Sequence, residues 1–128
     1  MNAHSDQTWT MTRFLEWAFG PRPLFETAKL VHEAVLLAEA VIARPDHLAP
    51  RRALQLRLIA VRDLADGHLW RDEGSVAATL IRTLRGADHP FELSRRLRAG
   101  LVTLEEAIRS RLASAVLLQI RQGMRAVA

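Results

Sequence analysis

Arg62 and His68 are the pair whose types could do chemistry together. A guanidinium can hold the charge that develops at a phosphate, and an imidazole can move protons near neutral pH. Five residues separate them, and Arg82 and His89 stand at a similar spacing. Other chemistries find less. Lys29 lies three residues before His32 and Arg44 three before His47, so neither makes the Glu-x-x-His pair of a carboxylate-bridged metal site. His32-Glu33 continues as Ala34-Val35, not as a zinc-protease motif. His47, His68 and His89 fall in expected loops, where a histidine more often meets carbonyls at a helix end than a zinc ion. There is no cysteine, which removes thiolate chemistry, disulfides and iron–sulfur ligation. None of Ser5, Ser75, Ser94, Ser110 and Ser114 sits in a Gly-x-Ser-x-Gly elbow, and the six glycines form no phosphate loop. Neither a metal nor a cofactor is expected.

The run Arg62-Asp63-Leu64-Ala65-Asp66-Gly67-His68 resembles the Arg–polar…His element of small helical ribonucleases of the HEPN class. The resemblance implies metal-independent RNA cleavage, with Arg62 stabilising phosphate charge and His68 transferring the proton. Its bland counterpart is composition. Seventeen of the chain's eighteen basic residues are arginine, and such a chain supplies about two Arg–His pairs at this spacing by chance; two occur. Gly67 also sets His68 beyond the end of a helix.

Positioning any such groups falls to helices. Tyrosine is absent, and the one Asp-Gly pair, Asp66-Gly67, has helical period on both flanks, so strand signals are lacking. Six helices are expected. The first covers about Thr8 to Phe19 and is ended by Gly20-Pro21-Arg22-Pro23. The second runs from about Pro23 to Ala43, with Leu24, Ala28, Val31, Val35, Ala38 and Ile42 as its stripe, widened by Leu30, Ala34, Leu37 and Val41 to about half the circumference. The third runs from about Pro50 to Gly67 on Leu54, Leu58, Val61 and Ala65, with Gly67 as its C-terminal glycine. The fourth starts at Ser75 as N-cap and ends at Gly86. A short fifth follows Pro90 and stops at Gly100. The sixth opens on the capping box Thr103-Leu104-Glu105-Glu106 and runs to about residue 122. The fold class is therefore all-α: a compact bundle of five or six mostly antiparallel helices. The chain reads as one domain, with an aromatic N-terminal arm (1–20), a bundle (23–122) whose core is helices two, three and six, and a short tail (123–128).

The 128 residues are 49% hydrophobic and 25% charged, which is enough apolar surface to fold unaided. No basic start and apolar run marks a signal peptide, and the longest apolar stretch, Ala34 to Ala43, is broken by Glu39. A cytoplasmic protein without a membrane span is expected.

Net charge is +4, and residues 51–128 carry 14 basic against 8 acidic side chains. Codon bias toward arginine accounts for this as well as an acidic partner would. Phe91 to Leu112 has the outline of a helix-turn-helix, but Glu105 and Glu106 stand where base contacts would form and would repel phosphate. A backbone-binding face of Arg95, Arg98 and Arg109 survives that objection.

Two apolar surfaces remain. Trp9, Phe14, Trp17 and Phe19 crowd the N-terminal arm, and Val116, Leu117 and Ile120 belong to a helix end that is apolar nearly all round. Aromatic residues anchor interfaces, and a helix apolar on every side needs cover on every side. These residues are expected to meet a protein partner or a second copy. The expectation is a non-enzymatic helical interaction module, with a basic face suited to an acidic partner. Nucleic-acid binding and the HEPN-like ribonuclease are the alternatives.

Overall fold

The computed structural model describes residues 22–86 and 89–127. The expected helix at Thr8–Phe19, with Trp9, Phe14, Trp17 and Phe19, lies outside them. The described residues form four helices, not five or six: α1 (Arg22–Ala43), α2 (Leu48–Gly67), α3 (Arg71–Arg85) and α4 (Pro90–Val127).

Each helix packs on two others, so the four close a ring in which α1 meets α2 and α4, and α3 meets the same two. Paired contacts give their directions. Glu39 pairs with Arg98 near the end of α1, while Ala28 and His32, earlier in α1, share a cleft with Arg109 and Leu112. Glu73 pairs with Arg111, and Gly100 meets Leu80. Arg51 at the start of α2 binds Leu84 at the end of α3. Neighbours run antiparallel, as their short connections favour.

The core is aliphatic. In α1 the buried row is Leu24, Thr27, Val31, Ala34, Ala38 and Val41, and Ala28, Leu30, Val35, Leu37 and Ile42 pack against the core partly buried, so the broad apolar face is the expected one with Thr27 added to it. Thr27 is tolerated there because its hydroxyl donates to the Pro23 carbonyl at 2.7 Å. Leu54, Leu58, Val61 and Ala65 of α2 point inward as the sequence predicts. Ala77, Leu80, Ile81 and Leu84 come from α3, and Leu93, Leu97, Leu101, Leu104 and Ile108 from α4.

Three sequence expectations fail at helix ends. Helices five and six are one helix of 38 residues. Gly100 does not stop it, because the inward row Leu97, Leu101, Leu104, Ile108 keeps helical phase straight through, and a mid-helix glycine costs only about 1 kcal/mol. Its role is close approach. A Cβ at Gly100 would lie 2.5 Å from Leu80 Cδ2 and 2.9 Å from its Cγ. Thr103 caps nothing; its hydroxyl donates to the Ala99 carbonyl at 3.0 Å within the helix.

α3 begins at Arg71, so Ser75 is an exposed interior residue rather than a cap. Asp72 and Glu73 occupy the first turn, where acids suit the helix dipole.

α2 ends at Gly67, but the left-handed residue is Leu69, at φ 60°. The reversal is closed by Trp70 N–H donating to the Ala65 carbonyl at 2.8 Å and Leu69 N–H to that of Asp66 at 3.3 Å. At the other end Arg51 ties two turns together. Its guanidinium donates to the carbonyls of Leu84 (2.7 and 3.0 Å) and Pro45 (3.1 Å).

Candidate functional site

α4 is longer than the bundle it belongs to. At 1.5 Å per residue its 38 residues span about 57 Å, against about 33 Å for the 22 of α1. Its inward row ends at Ile108, with Leu112 partly buried against the core and Arg111 held by Glu73. Beyond that it projects. Val116 is 40% exposed, Leu117 54%, Leu118 56% and Ile120 51%. The expected apolar end is therefore left largely open rather than wrapped by α1–α3. Ala113, Val116, Leu117 and Ile120 stand at i, i+3, i+4 and i+7, one stripe of the helix.

The described apolar face lacks aromatic side chains, and so does the core. No helix among the described residues is long and apolar enough to cross a membrane.

Arg95, Arg98 and Arg109 share a face of α4, since steps of 3 and 11 residues are close to whole turns. Two of the three are matched by carboxylates. Arg95 donates to Glu92 at 2.8 Å and Arg98 lies 3.5 Å from Glu39. Arg109 lines the cleft between α1 and α4, near His32 and Glu105. The hydrogen bond from Arg95 holds the Glu92 carboxyl below the ordinary carboxylate range, and Glu92 in turn raises the Arg95 guanidinium.

Arg62 and His68 have different neighbours. Arg62 donates to Asp63 at 3.2 and 3.3 Å. His68 follows the last residue of α2 and stacks on Trp70, ring centroids 4.9 Å apart. In the second pair, Arg82 donates to Thr79, and the His89 Nδ1 accepts from the Phe91 amide at the start of α4. Among the described residues no three His, Asp or Glu side chains converge as metal ligands would.

One polar cluster has no counterpart in the sequence reading. Glu73 is only 2% exposed, and both its oxygens face the Arg111 guanidinium, which also lies 5.5 Å from the centre of the Trp70 ring. The signal was there in the spacing. Glu73, Ala77, Leu80 and Leu84 stand at i, i+4, i+7 and i+11, the phase of the buried row. Reading Ser75 as the cap placed Glu73 outside the helix and hid it. The cluster ties the start of α3 to α4 at the point where α4 leaves the bundle. Its two charges satisfy each other, so it holds structure and presents no unmatched group to a substrate.

No known protein family, curated protein or solved structure matches the chain.

Proposed function

We propose that this protein acts without catalysis, as a helical interaction module that associates with a second copy of itself through the projecting part of α4. The observation that carries the reading is the open apolar stretch at Val116, Leu117, Leu118 and Ile120. Burying such a stripe against another helix returns roughly 25 cal/mol per Å² of apolar surface. It also supports the helix itself, since about fifteen residues without tertiary packing are marginal as a helix in water. Helix-on-helix docking of this kind needs only apolar anchors at helical spacing, and no converging polar groups.

The test sets two variants side by side. Leu117→Glu puts a charge on the stripe and is expected to weaken assembly by tenfold or more while helix content stays unchanged. His68→Ala is expected to leave assembly untouched. Purified protein is expected to leave a mixed RNA pool intact; cleavage that disappears with His68→Ala would replace this reading with the ribonuclease. Loss of an RNA-bound fraction in Arg95→Ala or Arg98→Ala, with Leu117→Glu silent, would replace it with nucleic-acid binding.

A further inference from the structure

We infer that the second copy lies antiparallel along the outer face of α4, with the two-fold axis level with the turn between Glu106 and Arg109. The inference rests on the self-association reading and names the surface, the direction and the register of that contact.

Phase argues for the surface. Among the described side chains of α4, the exposed large apolar ones are Phe91, Val102, Val116, Leu117, Leu118 and Ile120. At about 100° per residue, all but Leu118 fall in one sector about 100° wide, and Ala113 falls with them. The middle of that sector lies about 140° round the helix from the buried row Leu93, Leu97, Leu101, Leu104 and Ile108. The apolar end of α4 therefore does not continue the buried row. It continues a face that runs along the outside of the bundle, on the side away from the core. From Phe91 to Ile120 this face is about 44 Å long. The projecting part supplies two of its turns, Ala113 to Ile120. Three half-exposed aliphatic side chains there fall short of the roughly 800 Å² per partner of a standard interface. The full face is long enough to supply it.

Charge argues for the direction. Arg95, Arg98, Glu106 and Arg109 share the face. Arg95 and Arg98 are matched within the chain by Glu92 and Glu39, so what they offer a neighbour is their aliphatic stems. Glu106 and Arg109 are exposed, and neither side chain makes a hydrogen bond or ion pair among the described residues. A parallel pair of helices would set Glu106 on Glu106 and Arg109 on Arg109. An antiparallel pair centred between them sets each Glu106 on the Arg109 of the other copy, so one turn of helix is complementary to itself.

The apolar residues fit the same centre. In that register Leu117 meets Ala99 of the second copy and Val102 meets Ala113, a large side chain against a small one in both layers. Val116 and Ile120 lie over the stems of Arg98 and Arg95. Each projection is thus covered by the part of the second copy's α4 that belongs to its bundle, and not by the other projection.

Charge reversal in the full chain tests this, with mass followed by light scattering over a concentration series. Glu106→Arg and Arg109→Glu are each expected to weaken association roughly tenfold, since each sets two like-charged pairs across the axis. Both substitutions in one chain are expected to restore it to within about threefold of the wild type. An equimolar mixture of the two single variants is expected to form mixed dimers at concentrations where neither associates alone. That rescue uses the same two proteins, so misfolding cannot produce it. Cysteine placement checks the register, because the chain has no cysteine of its own. Val102→Cys mixed with Ala113→Cys is expected to form a disulfide between copies on oxidation, and Leu117→Cys alone is not. Single reversals that associate as well as the wild type, or Leu117→Cys that crosslinks to itself, would overturn the antiparallel register and leave self-association standing. A wild type that stays at the mass of one chain would overturn both.

Discussion

A carboxylate that loses nearly all its water on folding has to be met by a cation, and Glu73 is met by Arg111. Breaking such a pair from one side leaves a buried charge without a partner, at a cost of about 3–5 kcal/mol. Arg111 keeps more than a third of its side-chain exposure, so the lower end of that range applies. Arg111→Leu is therefore expected to lower the unfolding free energy by about 3 kcal/mol in urea titration. The double variant Glu73→Leu/Arg111→Leu is expected to recover most of the loss. If the single substitution costs less than about 1 kcal/mol, the pair does not hold α3 to α4. Leu69 makes the opposite case. It is an exposed leucine at φ 60°, where a Cβ is strained and no packing is gained in return. Leu69→Gly is expected to raise stability by about 0.5–1 kcal/mol, after subtracting the extra freedom of glycine in the unfolded chain. A loss of stability would mean that Leu69 makes a packing contribution its exposure hides.

At the scale of elements, most of α1 and α2 was legible in the sequence, because their apolar rows repeat at helical spacing between clear proline and glycine boundaries. The long α4 was not, and Gly100 is the reason. A glycine followed by a capping-box pattern reads locally as one helix ending and another starting. What overrides that signal is tertiary: Leu80 of α3 fills the space that a Cβ at position 100 would need. The unbroken phase of Leu97, Leu101, Leu104 and Ile108 was the available clue. Gly100→Ala separates the two accounts. Helix propensity alone predicts a gain of about 1 kcal/mol. Crowding against Leu80 costs about 1–3 kcal/mol. The expected net is a loss of about 1 kcal/mol by thermal or urea unfolding, and a gain when Leu80→Ala is already present. A gain in the unmodified chain would show that Gly100 is not needed for close packing. The candidate surface was legible for a similar reason. Val116, Leu117 and Ile120 could be named from the apolar run and its helical spacing, whereas their exposure depends on how the other helices pack, which the local sequence does not carry.

For the whole molecule, the four described helices close a ring with an aliphatic core and one projecting helix end. The bundle buries a continuous apolar core, whereas the end of α4 leaves Val116, Leu117, Leu118 and Ile120 exposed. Its polar groups follow the same division. Arg51, Arg57, Arg98 and Arg111 reach across between elements, to carbonyls or to Glu33, Glu39 and Glu73. These arginines tie the bundle together and are matched within it. Among the described residues the exposed apolar side chains of Val116, Leu117, Leu118 and Ile120 fall close together along the end of α4, and that grouping is what the proposed helix-binding role rests on.

The measurement that tests this most directly is light scattering across a concentration series at low salt, with absorbance followed at the nucleic-acid and protein maxima. One chain has a mass of 14.4 kDa. The expected result is a mass that rises with concentration to at least twice that value, free of excess nucleic-acid absorbance, while Ile120→Glu holds at one chain throughout. A wild-type protein that stays at the mass of one chain at every concentration would contradict the account.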